Sequence, residues 1–323
     1  MLLAQYRLPH FPKAIFVQLT TGCNAKCTSC PHPFTYGPRG VHETGNMSDE
    51  TWEMLVEQIA RSGYADQVGL YLHHEPLLVN NLETRIRDIN ERTNAHVDLS
   101  TNGALLTPER RSMLIEAAPR AVHINISSAD PTQYSDIMKL DWAVTRKNTH
   151  AFIEEAKDKI HIEINCPVLP EVDTQVLVDE FPGVKVNIEY WANSRGGLLE
   201  DVDASGKGSR FKRFSACTQP TQNLNVLWDG HVIVCCMDWM HESKDDFPSI
   251  FDADIFATFR GETMREIQRE FRSGCYDRYE MCSKCAGEMG FNKGQPLTVL
   301  DDLHEEVQRV KSRAGSIAAK LGL

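Results

Sequence analysis

The stretch TTGCNAKCTSC places Cys23, Cys27 and Cys30 in a C-x3-C-x2-C array. A closed structural zinc site takes four ligands; this array supplies three, with His32 two residues further on as the nearest histidine. Three thiolates suit a different task. They hold a cubane iron–sulfur cluster and leave one iron open to a small chelating molecule. A zinc site that borrows His32 or a distant ligand is the alternative. A second set comprises Cys217, Cys235 and the pair Cys282 and Cys285, the first two spaced C-x12-G-x4-C through Gly230. Four thiolates suit a fully ligated iron–sulfur cluster or a closed zinc site equally well by count.

The chain of 323 residues carries ten cysteines, a formal net charge of -11 and 41% hydrophobic residues. That length allows one large domain and a smaller one. The amino terminus lacks a signal-peptide pattern and no apolar run is long enough to span a bilayer, so a soluble, cytoplasmic protein is expected. In that compartment clustered thiols point to metal or catalysis rather than disulfides. The acidic balance disfavours nucleic acid, whose phosphates need concentrated Lys and Arg, and mildly favours a cationic substrate.

Residues 14–190 alternate short apolar runs with helical patterns. Strands are predicted at 14–20, 67–72, 95–100, 121–126, 160–166 and 184–189. One helix follows Ser48 as cap with Trp52, Leu55, Val56, Ile59 and Ala60 on its apolar face; another opens with Thr107 and Pro108. Six β/α units in order predict an α/β fold with a parallel sheet, a partial (β/α)6 barrel whose ligands gather at the carboxyl ends of the strands. The pattern divides the chain into a barrel over 1–190, a Gly- and Ser-rich linker over 191–205, a small α+β cysteine domain over 206–300 and a carboxyl-terminal helix over 301–323. Within the small domain, Asp229-Gly230 predicts a hairpin turn.

With these motifs in place, the chain resembles the radical S-adenosylmethionine superfamily, and together with the resemblance of the second cysteine set described below this covers about residues 14–290. It implies S-adenosyl-L-methionine chelated to the open iron of a [4Fe-4S] cluster. Reductive cleavage then yields a 5'-deoxyadenosyl radical that abstracts a substrate hydrogen, the protein orienting the reactants and excluding water. The segment YLHHEPLL stands where the family has Gly-Gly-Glu-Pro, which makes Glu75 the partner of the methionine ammonium group. His73 and His74 replace the glycines; they serve either the ligand or the strand alone. LSTNGALL makes Ser100 and Asn102 cofactor contacts, and HINISSAD makes Ser127 a ribose contact. Ser29 stands where the family commonly has an aromatic residue.

The second cysteine set resembles the SPASM extension in its shortened, twitch-like form, implying one auxiliary [4Fe-4S] cluster and so two clusters in all. The resemblance is greatest to aminocyclitol and aminosugar dehydrogenases and epimerases. It implies a polar small-molecule substrate and an electron donor such as a flavodoxin or ferredoxin. Acid–base groups must lie near that substrate. Arg195, Asp238 and Glu189 are candidates at the domain junction. Cys236 and Cys275 are candidate hydrogen-atom donors, as is Cys166, against the ordinary fate of a free cysteine as a small buried hydrophobe; Cys275 has the further option of joining a cluster. Peptide modification is the principal rival, weakened by the mere 22 residues before Cys23, too few for a leader-recognition domain. A zinc or electron-transfer protein is the non-enzymatic alternative.

Overall fold

The computed structural model describes residues 9–167, 172–189, 194–199, 216–289 and 291. The barrel strands are β1 (Ala14–Val17), β2 (Gln67–Gly69), β3 (His96–Thr101), β4 (Ala121–Asn125), β5 (His161–Pro167) and β6 (Lys185–Glu189). Around them run α1 (His32–Thr35), α2 (Asp49–Ser62), α3 (Leu82–Arg92), α4 (Pro108–Ala117), α5 (Pro131–Met138), α6 (Trp142–Ala156) and α7 (Thr174–Glu180). The later segment supplies α8 (Gln219–Gln222), β7 (Asn223–Val226), β8 (Val232–Ile233), α9 (Ile255–Arg260), α10 (Glu262–Arg272) and α11 (Glu280–Met289). All six predicted barrel strands are present and pair in parallel, in the order in which they occur.

The sheet does not stop where the barrel was expected to end. β7 pairs in parallel with the free edge of β1, and β8 folds back antiparallel on β7. The cysteine-bearing segment is therefore joined to the barrel through one continuous eight-stranded sheet. Its turn is the expected one: Gly230 has φ +84°, and the Leu227 and His231 backbones bond across it at 2.8 Å. Most of the linker expected at 191–205, and the helix expected at 301–323, lie outside the described residues.

Strand alternation separates the two faces of the sheet. Ile15, Val17, Val68, Leu70, Val97, Leu99, Val122, Ile124 and Ile164 bury against the helices. The opposite face carries Gln18, Asp98, Ser100, His123, Asn125, Glu163, Asn165 and Asn187, polar groups that a closed core would not accept unpaired. Ser48 caps α2 as expected, its hydroxyl accepting from Thr51 N at 3.0 Å, and Thr107 caps α4. Ala60, assigned to the apolar face of α2, is exposed. Gln58 is buried in its stead because its amide donates to Ile250 O at 2.8 Å and accepts from Ile255 N at 2.9 Å, tying α2 to the later segment. Among the described residues no helix is long and apolar enough to cross a membrane.

Candidate active site

The carboxyl ends of β1, β2 and β3 converge on the first cysteine loop. Lys26 N and Thr28 N donate to Met138 O at 3.3 Å and Ile137 O at 2.9 Å, so the end of α5 pins the loop. Cys27 Sγ lies 3.6 Å from Met138 Sδ. Burial pushes the Cys23 thiol up to about 12, assisted by the nearby Glu75 and Cys30. Burial raises Cys27 and Cys30 as well, and the neighbouring thiols add to the shift at Cys27. Partly buried thiols that disfavour charge ionise readily against a positive group, which is what an iron cluster would provide.

Glu75 locks this loop to the strand ends. Its amide donates to Gly22 O at 3.0 Å. Its carboxylate, 2% exposed, accepts from Leu77 N at 3.1 Å, Thr101 Oγ1 at 2.6 Å and Asn102 N at 2.9 Å. Burial pushes its pKa up to about 6, the three hydrogen bonds pulling the other way. A carboxylate offers about four lone-pair sites, so one remains for a further donor. Asn102 Nδ2 reaches Asn24 Oδ1 at 2.8 Å, and Ser100 Oγ accepts from Asn125 Nδ2 at 2.7 Å. The Ser127 hydroxyl is buried with no partner among the described residues. An orphaned buried hydroxyl beside a polar strand end suits a ligand that would complete it.

His73 and His74 part company. His74 Nδ1 lies 2.8 Å from Leu72 O, so that nitrogen carries the proton and Nε2 is a buried acceptor without a partner among the described residues. Desolvation brings its pKa down to about 4, which keeps the ring neutral. His73, with φ 55°, turns toward the later segment instead: Nε2 lies 2.7 Å from Cys236 O and the ring stacks on Trp239.

In the second thiol group Cys235 is buried and Cys217, Cys282 and Cys285 are partly so. Burial raises Cys217 to about 12 and Cys285 to about 11, and it raises Cys282, whose pKa is also pushed up by Cys217 and Cys285. The neighbouring thiols act on one another: Cys235 lowers the Cys236 thiol below its ordinary range, and Cys236 together with burial raises Cys235 above it. Met237 N donates to Cys235 Sγ at 3.3 Å, the kind of amide contact that supports a ligating sulfur. Arg195, with φ 53°, lies close enough to Cys30, Cys236 and Cys285 for its charge to favour each thiolate, and its Nη1 is 3.5 Å from Met237 Sδ. Its turn docks on α11, where Glu288 accepts from Ser194 N at 3.0 Å.

Three further sequence candidates have distinct surroundings. Asp238 is fully buried and serves its own loop, accepting from Glu242 N at 2.8 Å, Ser243 N at 3.0 Å and Ser243 Oγ at 2.5 Å. Those three donors give Asp238 a structural task within its own loop. Cys275 is exposed at the end of α10, where a reactive carbon could not be sheltered from water. Cys166 is fully buried on the helix-covered face, its Sγ 3.6 Å from Ser127 O. Glu189 closes β6 opposite Pro167. Sequence reading missed Thr101 and Asn24; Thr101 lies between two named residues, and alternation alone assigns it to the opposite face from both.

A parallel barrel sheet with three partly buried cysteines in the loop after its first strand is the arrangement expected of an iron–sulfur enzyme of the radical type. The Radical SAM superfamily model matches residues 17–179, just over half of the chain, and the model described as SPASM, iron-sulfur cluster-binding domain, matches residues 217–286. The chain belongs to the radical SAM superfamily, with S-adenosyl-L-methionine and [4Fe-4S] cofactors, and it carries a SPASM domain. Its relatives include the S-adenosyl-L-methionine-dependent 2-deoxy-scyllo-inosamine dehydrogenase of Niallia circulans, 22% identical over 84% of this chain and 91% of that protein. The crystal structure of BtrN in complex with AdoMet and 2-DOIA is similar at TM-score 0.59 and 18% identity, covering 84% of this chain and 92% of that one. Streptococcus suis SuiB bound to precursor peptide SuiA is similar at TM-score 0.63 and 13% identity, over 82% and 68% of the two chains.

Proposed function

We propose that the chain dehydrogenates a carbinol carbon of an aminocyclitol or aminosugar by abstracting a hydrogen atom. The observation that carries this reading is the match to an aminocyclitol dehydrogenase over 84% of this chain and 91% of that enzyme. Cys23, Cys27 and Cys30 would hold the first cluster with one iron open, and Cys217, Cys235, Cys282 and Cys285 an auxiliary cluster. Bound there, the cofactor pair supplies a carbon radical able to take hydrogen from an unactivated carbon.

The chain's own residues do the rest. Glu75 offers its remaining lone pair to an ammonium group, with Ser100, Asn102, Ser127 and the Nε2 of His74 completing the ligand's hydrogen bonds. Arg195 keeps its proton in a protein, so at the substrate it would act as a donor that holds the hydroxyl oxygen rather than as the base; after hydrogen-atom loss the hydroxyl proton would pass to solvent and the remaining electron to the auxiliary cluster. We take oxidation over epimerisation because the matched relative is a dehydrogenase; Cys166 lies under the helices and Cys275 on the surface, which leaves Cys236 as the thiol an epimerase would need. We place the domain boundary within 191–205 and assign the electron supply to a flavodoxin or ferredoxin.

The test is iron and sulfide per chain after anaerobic reconstitution, followed by substrate-dependent release of 5'-deoxyadenosine across a panel of aminocyclitols and aminosugars. About eight irons are expected, falling to about four in a Cys217→Ala/Cys235→Ala variant. About four in the parent, with zinc in the second site, removes the electron acceptor and the dehydrogenase reading with it.

A further inference from the structure

The ring of His73 belongs to a stack that joins three segments of the chain. Its centroid lies 3.8 Å from that of Trp239, and His42 stacks on His241 at 3.9 Å. Tyr36 Oη lies 2.8 Å from His241 Nε2, and His42 Nε2 donates to Trp239 O at 2.7 Å. His73 and His241 each hold φ 55°, an unfavourable backbone for a residue with a Cβ, which the packing on all sides enforces. So much constraint fixes one atom above all. His73 Nε2 lies 2.7 Å from Cys236 O; a carbonyl only accepts, so Nε2 carries the proton, and Nδ1 is a buried acceptor with no partner among the described residues.

The Cys236 carbonyl and the Met237 N–H are opposite ends of one peptide group. The carbonyl receives the His73 proton, and the N–H donates to Cys235 Sγ at 3.3 Å. We propose that His73 is a positioning residue for the auxiliary cluster, strengthening the hydrogen bond to the Cys235 sulfur through the Cys236–Met237 peptide and so raising that cluster's reduction potential. The inference rests on the reading of Cys235 as a cluster ligand. Hydrogen bonds in series polarise one another by about 10–30% per bond. A donor to sulfur stabilises the more negative, reduced cluster, which is how second-sphere groups raise potentials.

The experiment is an EPR-monitored redox titration of the reconstituted protein with both sites intact, following the signal that Cys217→Ala/Cys235→Ala abolishes. His73→Phe keeps an aromatic ring on Trp239 and removes the donor; His73→Gln restores an N–H at similar reach. His73→Phe is expected to lower the reduced-to-oxidised ratio at fixed potential about threefold, or about 28 mV at 59 mV per tenfold for one electron, with His73→Gln at the parent's value. If His73→Phe does not retain its second cluster, His73→Leu carries the same comparison. Equal potentials in parent and donor-free variant overturn the proposal, as does a His73→Gln shift as large as that of His73→Phe, which would assign the effect to ring packing. A parent without the signal overturns the ligand reading and this inference with it; about eight irons with an unmoved potential overturns this inference alone.

Discussion

If Glu75 pairs with the ammonium group of the bound methionine moiety, binding is weakened by any proton that Glu75 takes up first. Burial places its carboxyl at about 6, well above the ordinary 4.5. The sign follows directly: ligand binding requires the ionised form, so affinity is full above that value and declines as pH falls through it. The factor is 1 + 10^(pKa − pH), which is close to 1 at pH 8, about 2 at pH 6 and about 11 at pH 5, the last equal to about 1.4 kcal/mol. The neutral variant Glu75→Gln has no such titration. It also turns an amide NH2 toward donors that the carboxylate accepted, from Leu77, Thr101 and Asn102, and should bind more weakly throughout by about 1.5–3 kcal/mol. Calorimetric titration of S-adenosyl-L-methionine into the reconstituted protein between pH 5 and 8 measures both effects. A parent affinity that is flat over this range, or a Glu75→Gln variant that keeps the same slope, would refute the role assigned to this carboxylate.

Two further expectations concern the frame that holds the site. Burial pushes the Glu163 carboxyl up, but hydrogen bonds from Lys185 and His161 at 2.8 Å and from Asn187 at 2.6 Å outweigh it and hold the pKa at about 2, below the ordinary 4.5. A depressed carboxylate stabilises above its unfolded value and loses that contribution as pH falls. Glu163→Gln should therefore cost about 1–3 kcal/mol at pH 6.5, after allowing for solvent around Lys185 and His161, and the gap in unfolding free energy between variant and parent, read from urea denaturation, should narrow by up to about 2 kcal/mol at pH 3. Gly103 follows the Glu75-binding turn with φ +77°, and a Cβ there would lie 2.9 Å from Ile124 Cγ2. Gly103→Ala should lose about 1–3 kcal/mol in thermal unfolding, and an unchanged midpoint would mean that the turn relaxes freely.

Local sequence carried far where the physics is local. The six barrel strands, the Ser48 and Thr107 caps and the Asp229-Gly230 turn all depend on neighbours a few residues apart, and all occur as expected. The C-x3-C-x2-C spacing is local in the same sense, because a short loop can bring its side chains near one another without help from afar. Gln58 shows where such reasoning ends: a polar residue on a helix is buried only because Ile250 and Ile255, nearly two hundred residues on, supply its partners.

The sequence by itself determined the class of chemistry, since cysteine spacing and the Glu75 and Asn102 motifs are written in consecutive residues. Only the tertiary structure decided how the second cysteine group reaches the first: β7 joins the edge of β1, and that pairing delivers Cys235, Cys236 and Trp239 to His73. It also decided that Asp238 caps a loop and that Cys275 faces solvent. The physical reason is that burial and partner choice belong to the packed chain. A carboxylate, thiol or imidazole acquires its protonation and its task from groups that sequence distance does not reveal.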